Sequence, residues 1–184
     1  LLLHNGDKDA ALSLVKHNID VFGKLEFDAL IINAAGCGAM MKEYGDLLKD
    51  DPAYREKAEC LTEKMKDVTE FVGSLLLKTP TREVRAKVTY HDACHLLREL
   101  RISKEPRELL ENIDGVELQE MENADACCGF GGLFSIKFPH ISAAILDALE
   151  EALGEAAHFG AGACALTAQE SASIRVAMST RNAS

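Results

Sequence analysis

The first part of the chain places its apolar residues on one helical face. After Asp7, the residues that define this face are Ala11, Leu14, Val15, Ile19 and Phe22. This spacing predicts an amphipathic helix with Asp7 as its N-cap. The apolar run DALIINAAGCG (28–38) follows and ends in small residues, which predicts a buried parallel strand, a glycine turn and a helix at AMMKEYGDLL. A helix–strand–helix order is typical of α/β domains.

The middle of the chain predicts one long helix and then a break. Asp51-Pro52 is a suitable helix start, and amphipathic spacing continues from Ala53 to about Leu77. The stretch TPTREVRAK (79–87) interrupts the pattern and is the best linker candidate.

After the linker the pattern alternates between strands, loops and helices again. The predicted elements are a strand at KVTYHD, helices at CHLLREL and from about Pro106 to Asn112, a strand at VELQEM, a glycine-rich loop at ACCGFGG, a helix at PHISAAILDALEEALGEA with Pro139 in its first turn, and a further helix from Cys164 to Met178. Because this order echoes the part before the linker, we expect an α/β fold of two related lobes. Each lobe would be a small parallel sheet flanked by helices, with residues 1–80 in the first and 81–184 in the second. The chain opens on Leu-Leu-Leu rather than Met, so we expect the first lobe to be truncated.

Charge and hydropathy argue against nucleic-acid binding and against a membrane-spanning helix. The net charge is −10, and no cluster of Lys and Arg exceeds two or three residues. A nucleic-acid partner is therefore not expected, because phosphate contacts need a basic surface. No apolar run approaches the roughly 20 residues of a spanning helix. We expect a cytoplasmic protein, with any membrane association through a partner.

The six cysteines carry the candidate chemistry. Without a secretion signal, a chain of this size is expected to keep its thiols reduced. Cys127-Cys128-Gly129 and the glycines that follow it form a loop in which backbone N–H groups can approach a ligand closely. Cys94 directly follows a predicted strand and opens a helix, where the helix N-terminus would lower the pKa of its thiol. Cys37 lies in an equivalent setting, whereas Cys60 lies mid-helix and is expected to have no role.

Spacing alone leaves three interpretations of these thiols open. Four or five thiolates at strand-to-helix junctions are suited to an iron–sulfur cluster, which needs thiolate ligands and N–H groups directed at its sulfides. Structural zinc is the rival, although CxxC pairs are absent: Cys37 begins CGAM and Cys164 begins CALT. Buried free thiols are the third interpretation.

A resemblance to a known family favours the first of these three interpretations, the iron–sulfur cluster. YHDACHLLREL (90–100), PRELL (106–110) and CCGFGGLFSIKFP (127–139) closely resemble the cysteine-rich CCG domain family, as does INAAGCGAMMKEYGDLLKDDPAYREKA (32–58). The family includes iron–sulfur subunits of glycolate and lactate oxidation and the B subunit of heterodisulfide reductase. The resemblance covers nearly the whole chain from residue 4.

The resemblance implies a set of cluster ligands. The family carries two copies of a Cys…Cys-Cys-Gly…Cys pattern, which makes Cys94, Cys127, Cys128 and Cys164 candidate ligands of a [4Fe–4S] cluster. Cys37 would be the last element of a first set whose other members precede residue 1. The chain departs from the five-thiolate pattern of the heterodisulfide reductases, which end on CxxC, because Met40 and Thr167 occupy the final positions. The approach to Cys164, AAHFGAGAC, lacks the Val and Ile of a typical strand.

Residues next to the cysteines are candidates for groups that hydrogen-bond the cluster ligands without binding the cluster themselves. His91, Asp92 and His95 flank Cys94 and could orient the thiolate and tune the cluster, or could equally well hydrogen-bond the strand end; a direct His ligand is the less favoured alternative. His91, His95 and Gly129 are the selected candidates. Arg98 could offset the charge of the cluster or pair with a Glu, and the surface pair is favoured.

The implied function is electron transfer rather than independent catalysis. A flavin-containing 2-hydroxyacid dehydrogenase subunit would supply electrons, and a further iron–sulfur subunit or a quinone would accept them. The alternatives are thiol–disulfide redox chemistry of the heterodisulfide reductase type and a non-catalytic zinc module.

Overall fold

The computed structural model describes residues 1–75, 84–157, 163–164 and 176–179, with side chains up to residue 152. The chain divides into two compact units, Leu1–Val68 and Thr69–Ser184. The predicted lobe boundary between residues 80 and 81 lies outside the described residues, so the assignment of two repeats stays a prediction.

The first unit is built on a two-stranded parallel sheet with helices around it. After a 3₁₀ turn at Leu3–Asn5, its elements are α1 (Lys8–Phe22), β1 (Leu30–Ile32), α2 (Ala35–Lys42), α3 (Tyr44–Leu47), α4 (Arg55–Lys64) and β2 (Met65–Asp67), and α5 (Val68–Ser74) begins at its end. The predicted first helix is confirmed as α1. Asp7 caps it by accepting a hydrogen bond from the Ala10 N–H at 3.1 Å, and Val15 and Ile19 are buried beneath it.

The predicted single helix from Ala53 to Leu77 is wrong. The helix α4 begins only at Arg55 and ends at Lys64, and β2 then pairs in parallel with β1, with Met65 opposite Leu30 and Asp67 opposite Ile32. Met65 is completely buried. Pairing with a strand more than 30 residues away and burial of Met65 therefore override the local helical periodicity.

The second unit has a larger, mixed sheet. Its elements are β3 (Ala86–Tyr90), α6 (Cys94–Arg98), α7 (Lys104–Glu111), β4 (Val116–Leu118), α8 (Leu133–Lys137), α9 (Pro139–Ala157), β5 (Ala163–Cys164) and β6 (Val176–Ser179). The strand order is β4-β3-β6-β5. The β3 strand is parallel to β4 and antiparallel to β6, which is also antiparallel to β5.

The α/β fold class is confirmed, with two differences in the second unit. Its sheet is mixed, whereas a parallel one was expected. The predicted helix from Cys164 to Met178 is wrong where the chain is described, because Val176–Ser179 forms a strand paired with Lys87–Tyr90. A short apolar run takes its conformation from the strand beside it more than from its own periodicity.

The core of the second unit holds the carboxyl end of β3 in a fixed place. Val88 and Tyr90 on β3, Leu96 on α6 and Met121 after β4 are all buried, and Tyr90 is only 1% exposed. The residues that directly follow Tyr90 therefore start from a rigid position. Among the described residues, no helix combines the length and the apolar composition needed to cross a membrane.

Candidate metal centre

Cys94 lies where the sequence predicts it, at the junction of strand and helix. The β3 strand ends at Tyr90, His91 and Asp92 follow, and Cys94 is the first residue of α6. Ala93 is extended before it (φ −67°, ψ 125°), so the chain turns directly from the sheet edge into the helix. The equivalent prediction for Cys37 is also confirmed, because Cys37 lies in the first turn of α2, soon after β1.

The CCG loop (residues 124–132) lies between β4 and α8 and depends on its glycines. Gly129, Gly131 and Gly132 all have positive φ, and that of Gly129 is +79°. A Cβ at Gly129 would lie 2.5 Å from the Ser142 carbonyl oxygen on α9. The Ser142 hydroxyl donates a hydrogen bond to the Gly129 carbonyl at 2.8 Å. The loop therefore passes so close to α9 that only glycine is accommodated at this position.

Three thiols of the second unit interact electrostatically. Burial raises the pKa of the Cys94 thiol above its ordinary value of 9.0, and the neighbouring Cys128 and Cys127 thiols raise it further. The N–H groups of His95 and Cys94 lower the pKa of this thiol, but by less. The N–H groups at the start of the helix therefore lower the pKa of Cys94 as expected, but desolvation and like charge outweigh them and the net shift is upward.

The donor set has the chemistry of an iron–sulfur site. None of the five cysteines whose side chains are described forms a disulfide, and Cys127 is exposed while Cys94 and Cys128 are half-buried. The Gly129 N–H donates to the Cys127 sulfur at 3.4 Å, the kind of N–H···S contact that stabilises thiolates around a cluster. Free thiols with a glycine N–H directed at sulfur are the donor chemistry that such a cluster needs.

Cys164 and Cys37 were also predicted as ligands. Within the described part of the chain, no three His, Cys, Asp or Glu side chains are already arranged to hold a metal ion. Cys164 lies on β5, but its side chain is outside the described residues. Cys37 is an exposed residue of the first unit, and Cys60 is exposed on α4. The ligand assignment therefore stays a prediction.

His91 contacts the CCG loop directly. It is 6% exposed, and its Nε2 lies 2.8 Å from the Ala126 carbonyl oxygen. The next residue, Asp92, donates its backbone N–H to the Ala124 carbonyl at 2.8 Å. The strand end and the loop that carries Cys127 and Cys128 are thus joined by two hydrogen bonds.

Arg107 is a structural partner that sequence reasoning missed. Its guanidinium donates to both carboxylate oxygens of buried Asp92, at 2.9 and 2.8 Å, and to both oxygens of Glu120, at 2.5 and 3.1 Å. It also donates to the carbonyl and hydroxyl oxygens of Ser103 and lies over the Tyr90 ring at 5.0 Å. The hydrogen bonds that Arg107 donates to Asp92 and, second, to Glu120 raise its pKa above the ordinary value, so it is a permanent cation. The available signal was Asp92 itself, because a carboxylate at the end of a buried strand needs a cationic partner.

His95 and Arg98 make different contacts on α6. His95 Nδ1 lies 2.9 Å from Glu99 Oε1, one turn further along, and its role toward a cluster stays a prediction. Arg98 was expected to form a surface pair with a Glu. Its Nη2 instead donates to the Asp125 carbonyl at 3.3 Å, a third contact with the CCG loop.

Comparison with known proteins assigns the chain to a family. Residues 2–42 and 88–167 match the family described as Cysteine-rich domain, CCG. The chain therefore belongs to the cysteine-rich CCG domain family, and the resemblance seen in its motifs is confirmed.

Named relatives fall into two groups. The chain is 43% identical over 151 residues to the probable glycolate oxidase iron-sulfur subunit of Bacillus subtilis, an alignment covering 78% of the chain and 33% of the relative. It is 38% identical to lactate utilization protein A of Halalkalibacterium halodurans, with 73% of the chain and 54% of the relative covered. It is 34% identical to lactate utilization protein A of an Exiguobacterium species, with 78% and 59% covered. The chain thus spans between a third and three fifths of these relatives' length. No solved structure matches it.

Proposed function

We propose that this chain belongs to an iron–sulfur electron-transfer subunit of a complex that oxidises a 2-hydroxyacid, either glycolate or lactate. Its cluster would be of the [4Fe–4S] type, held by Cys94, Cys127, Cys128 and Cys164. The observation that carries the proposal is a pair of hydrogen bonds, from the Asp92 N–H to the Ala124 carbonyl and from His91 Nε2 to the Ala126 carbonyl. They join the strand end that precedes Cys94 to the loop that carries Cys127 and Cys128. The names of the relatives, an iron-sulfur subunit and a lactate utilization protein, support the reaction class.

The residues of the chain would each contribute to binding and tuning. When bound, an iron–sulfur cluster accepts and passes on one electron at a time. Cys94, Cys127 and Cys128 would supply thiolates from the second unit, and the Gly129 N–H would remain directed at sulfur. Half-burial of Cys94 and Cys128 limits water around the thiolates, and solvent exposure is one of the factors that set a cluster's reduction potential. Exposed Cys127 marks the side from which a partner could approach.

The proposed subunit would receive electrons from one partner and pass them to another. A flavin-containing 2-hydroxyacid dehydrogenase subunit would supply electrons, and a further iron–sulfur subunit or a quinone would accept them. We place the protein in the cytoplasm, where thiols stay reduced, with membrane association only through partners. In this proposal the chain itself binds no hydroxyacid.

Serine variants test the ligand assignment. After anaerobic reconstitution with iron and sulfide, the wild-type chain should gain absorption near 400 nm that bleaches on reduction. Cys94→Ser, Cys127→Ser and Cys128→Ser should each lose most of this absorption. Cys60→Ser removes an exposed thiol of the other unit and serves as the matched control. Equal cluster content in all four variants would contradict the assignment.

A second experiment tests the relay. The reconstituted chain, reduced with one equivalent of dithionite under nitrogen, should be reoxidised by a soluble quinone with a return of the 400 nm absorption. Reconstituted Cys60→Ser protein should behave identically. A chain that binds one zinc ion and stays colourless would refute electron transfer and favour the zinc module.

A further inference from the structure

Three consecutive carbonyl groups of the CCG loop each accept a hydrogen bond from the same short segment. The Ala124 oxygen accepts from the Asp92 N–H at 2.8 Å, the Asp125 oxygen from Arg98 Nη2 at 3.3 Å, and the Ala126 oxygen from His91 Nε2 at 2.8 Å. Cys127 is the next residue, and Cys94 lies between the donors. Residues 91–98 therefore hold the backbone that leads directly into the Cys127-Cys128 pair.

The contact from His91 defines which of its nitrogens carries the proton. A carbonyl oxygen can only accept a hydrogen bond, so Nε2 must be the protonated nitrogen at 2.8 Å. His91 is 6% exposed, so its ring is confined by packing as well as by this bond. A buried donor in a fixed place is suited to positioning a backbone group.

The segment is itself anchored from its other side. Asp92 is buried and receives two charge-assisted hydrogen bonds from Arg107, which is held in turn by Ser103 and Glu120. The hydrogen-bond donors of residues 91 and 92 are therefore held in place by the Asp92–Arg107 pair.

We propose, on the basis of the function proposed above, that residues 91–98 form a preformed clamp that fixes the CCG loop against Cys94 before a cluster binds. His91 and Arg98 are its positioning residues: they act on the backbone of the loop and are not ligands. The clamp limits the movement of the loop that carries Cys127 and Cys128 relative to the segment that carries Cys94.

Hydrogen exchange of the reduced, metal-free full chain tests the clamp without a cluster. His91→Phe keeps a ring of similar size but removes the donor, and His91→Gln returns an N–H donor near the position of Nε2. Exchange in peptides covering residues 120–130 should accelerate about fivefold in His91→Phe, the effect of losing one hydrogen bond, and should stay near the wild-type rate in His91→Gln. His17→Phe, at an exposed position on α1, is the matched control.

Equal exchange in His91→Phe and His91→Gln would overturn the clamp, since packing alone would then explain any change. If His91→Phe does not fold, Arg98→Met provides the same test from the exposed side of the clamp, with Arg55→Met on α4 as its control. An unchanged rate in Arg98→Met, with both Arg variants folded, would also overturn it.

Loss of a reconstituted cluster in air provides the second readout. His91→Phe should lose its cluster roughly tenfold faster than wild type, and His91→Gln at nearly the wild-type rate, as expected for outer groups around a metal. If wild type binds no cluster while the exchange result holds, the proposed function fails and the loop clamp stands. If wild type binds a cluster but both His91 variants lose it at the wild-type rate, the clamp fails and the proposed function stands.

Discussion

Removing the guanidinium of Arg107 should destabilise the second unit far more than removing an exposed cation nearby. Arg107→Met keeps most of the volume and the apolar stem of the side chain but leaves the Asp92 carboxylate without its two charge-assisted hydrogen bonds. Asp92 has a side chain only 5% exposed, and that of Arg107 is 19% exposed. The change therefore leaves a buried carboxylate unpaired.

The magnitude follows from the burial of the pair. Breaking a buried ion pair by removing one partner destabilises by about 3–5 kcal/mol. We take the lower end, about 3 kcal/mol, because only the pair with Asp92 is buried. The pair of Arg107 with Glu120, whose side chain is 51% exposed, adds little to the free energy of unfolding. Arg107→Lys keeps the charge but loses the bidentate geometry, and should cost about half as much. Lys104→Met, which breaks the pair with Glu108 on the exposed side of α7, should have no resolvable effect.

Urea-dependent hydrogen exchange, read by mass spectrometry on the reduced metal-free protein, separates the two units. With an m-value of about 2 kcal/mol/M, a loss of 3 kcal/mol lowers the unfolding midpoint by about 1.5 M. Only peptides of the second unit should shift, and those of the first serve as the internal reference. An Arg107→Met midpoint equal to that of Lys104→Met would refute the reasoning, because the Asp92 pair would then contribute no more than a surface contact.

Three further predictions concern single positions in either unit. Iodoacetamide at pH 8 should alkylate Cys94 more slowly than exposed Cys60, because burial and the neighbouring thiols raise the pKa of Cys94 above 9.0. The raised pKa favours the protonated thiol in the folded state. The stability that Cys94 contributes therefore falls as the pH rises above 9.0. Equal alkylation rates would refute this. Gly129→Ala should abolish cluster binding, because its Cβ would meet a carbonyl oxygen at 2.5 Å. Gly132→Ala would meet no such neighbour within 4 Å and should cost only about 1–3 kcal/mol, for a backbone conformation (φ 56°, ψ −105°) that side chains other than glycine rarely adopt. Equal iron content in the two variants would contradict this prediction. Met65→Ala, at a completely buried site, should lower the free energy of unfolding of the first unit by about 3 kcal/mol in a urea titration, and a loss under 1 kcal/mol would show that the site collapses around the smaller side chain.

Local sequence patterns were sufficient to predict those helices and strands whose conformation depends on their own residues. The helical face after Asp7 and the strand KVTYHD both formed, and Cys94 lies at the start of a helix as predicted. These signals are short-range: a cap, a spacing, and a strand followed by a turn. The prediction that Cys94 follows a strand therefore did not require knowledge of the tertiary structure.

The features that were missed depend on partners far away in the chain. The β2 strand interrupts a convincing helical pattern only because β1 lies beside it. Arg107 is 15 residues from Asp92, and nothing between them predicts that the two pair. Arg98 bonds a carbonyl 27 residues away, where a nearby Glu was expected. Backbone acceptors carry no sequence signal, so such contacts appear only when the fold is known.

The contacts around the cysteines give the second unit a layered organisation. Arg107 donates hydrogen bonds to Asp92, and residues 91, 92 and 98 donate hydrogen bonds to three carbonyls of the CCG loop. These hydrogen bonds are between 2.8 and 3.3 Å long. They connect Arg107, the segment that contains Cys94 and the loop that contains Cys127 and Cys128.

Analysis of iron, sulfide and zinc in anaerobically purified and reconstituted protein, together with its visible spectrum, tests the central claim most directly. The account predicts about four irons and four sulfides per chain, little zinc, and loss of both iron and sulfide in Cys128→Ser but not in Cys60→Ser. A colourless protein that contains one zinc ion, or iron content unaffected by Cys128→Ser, would contradict it.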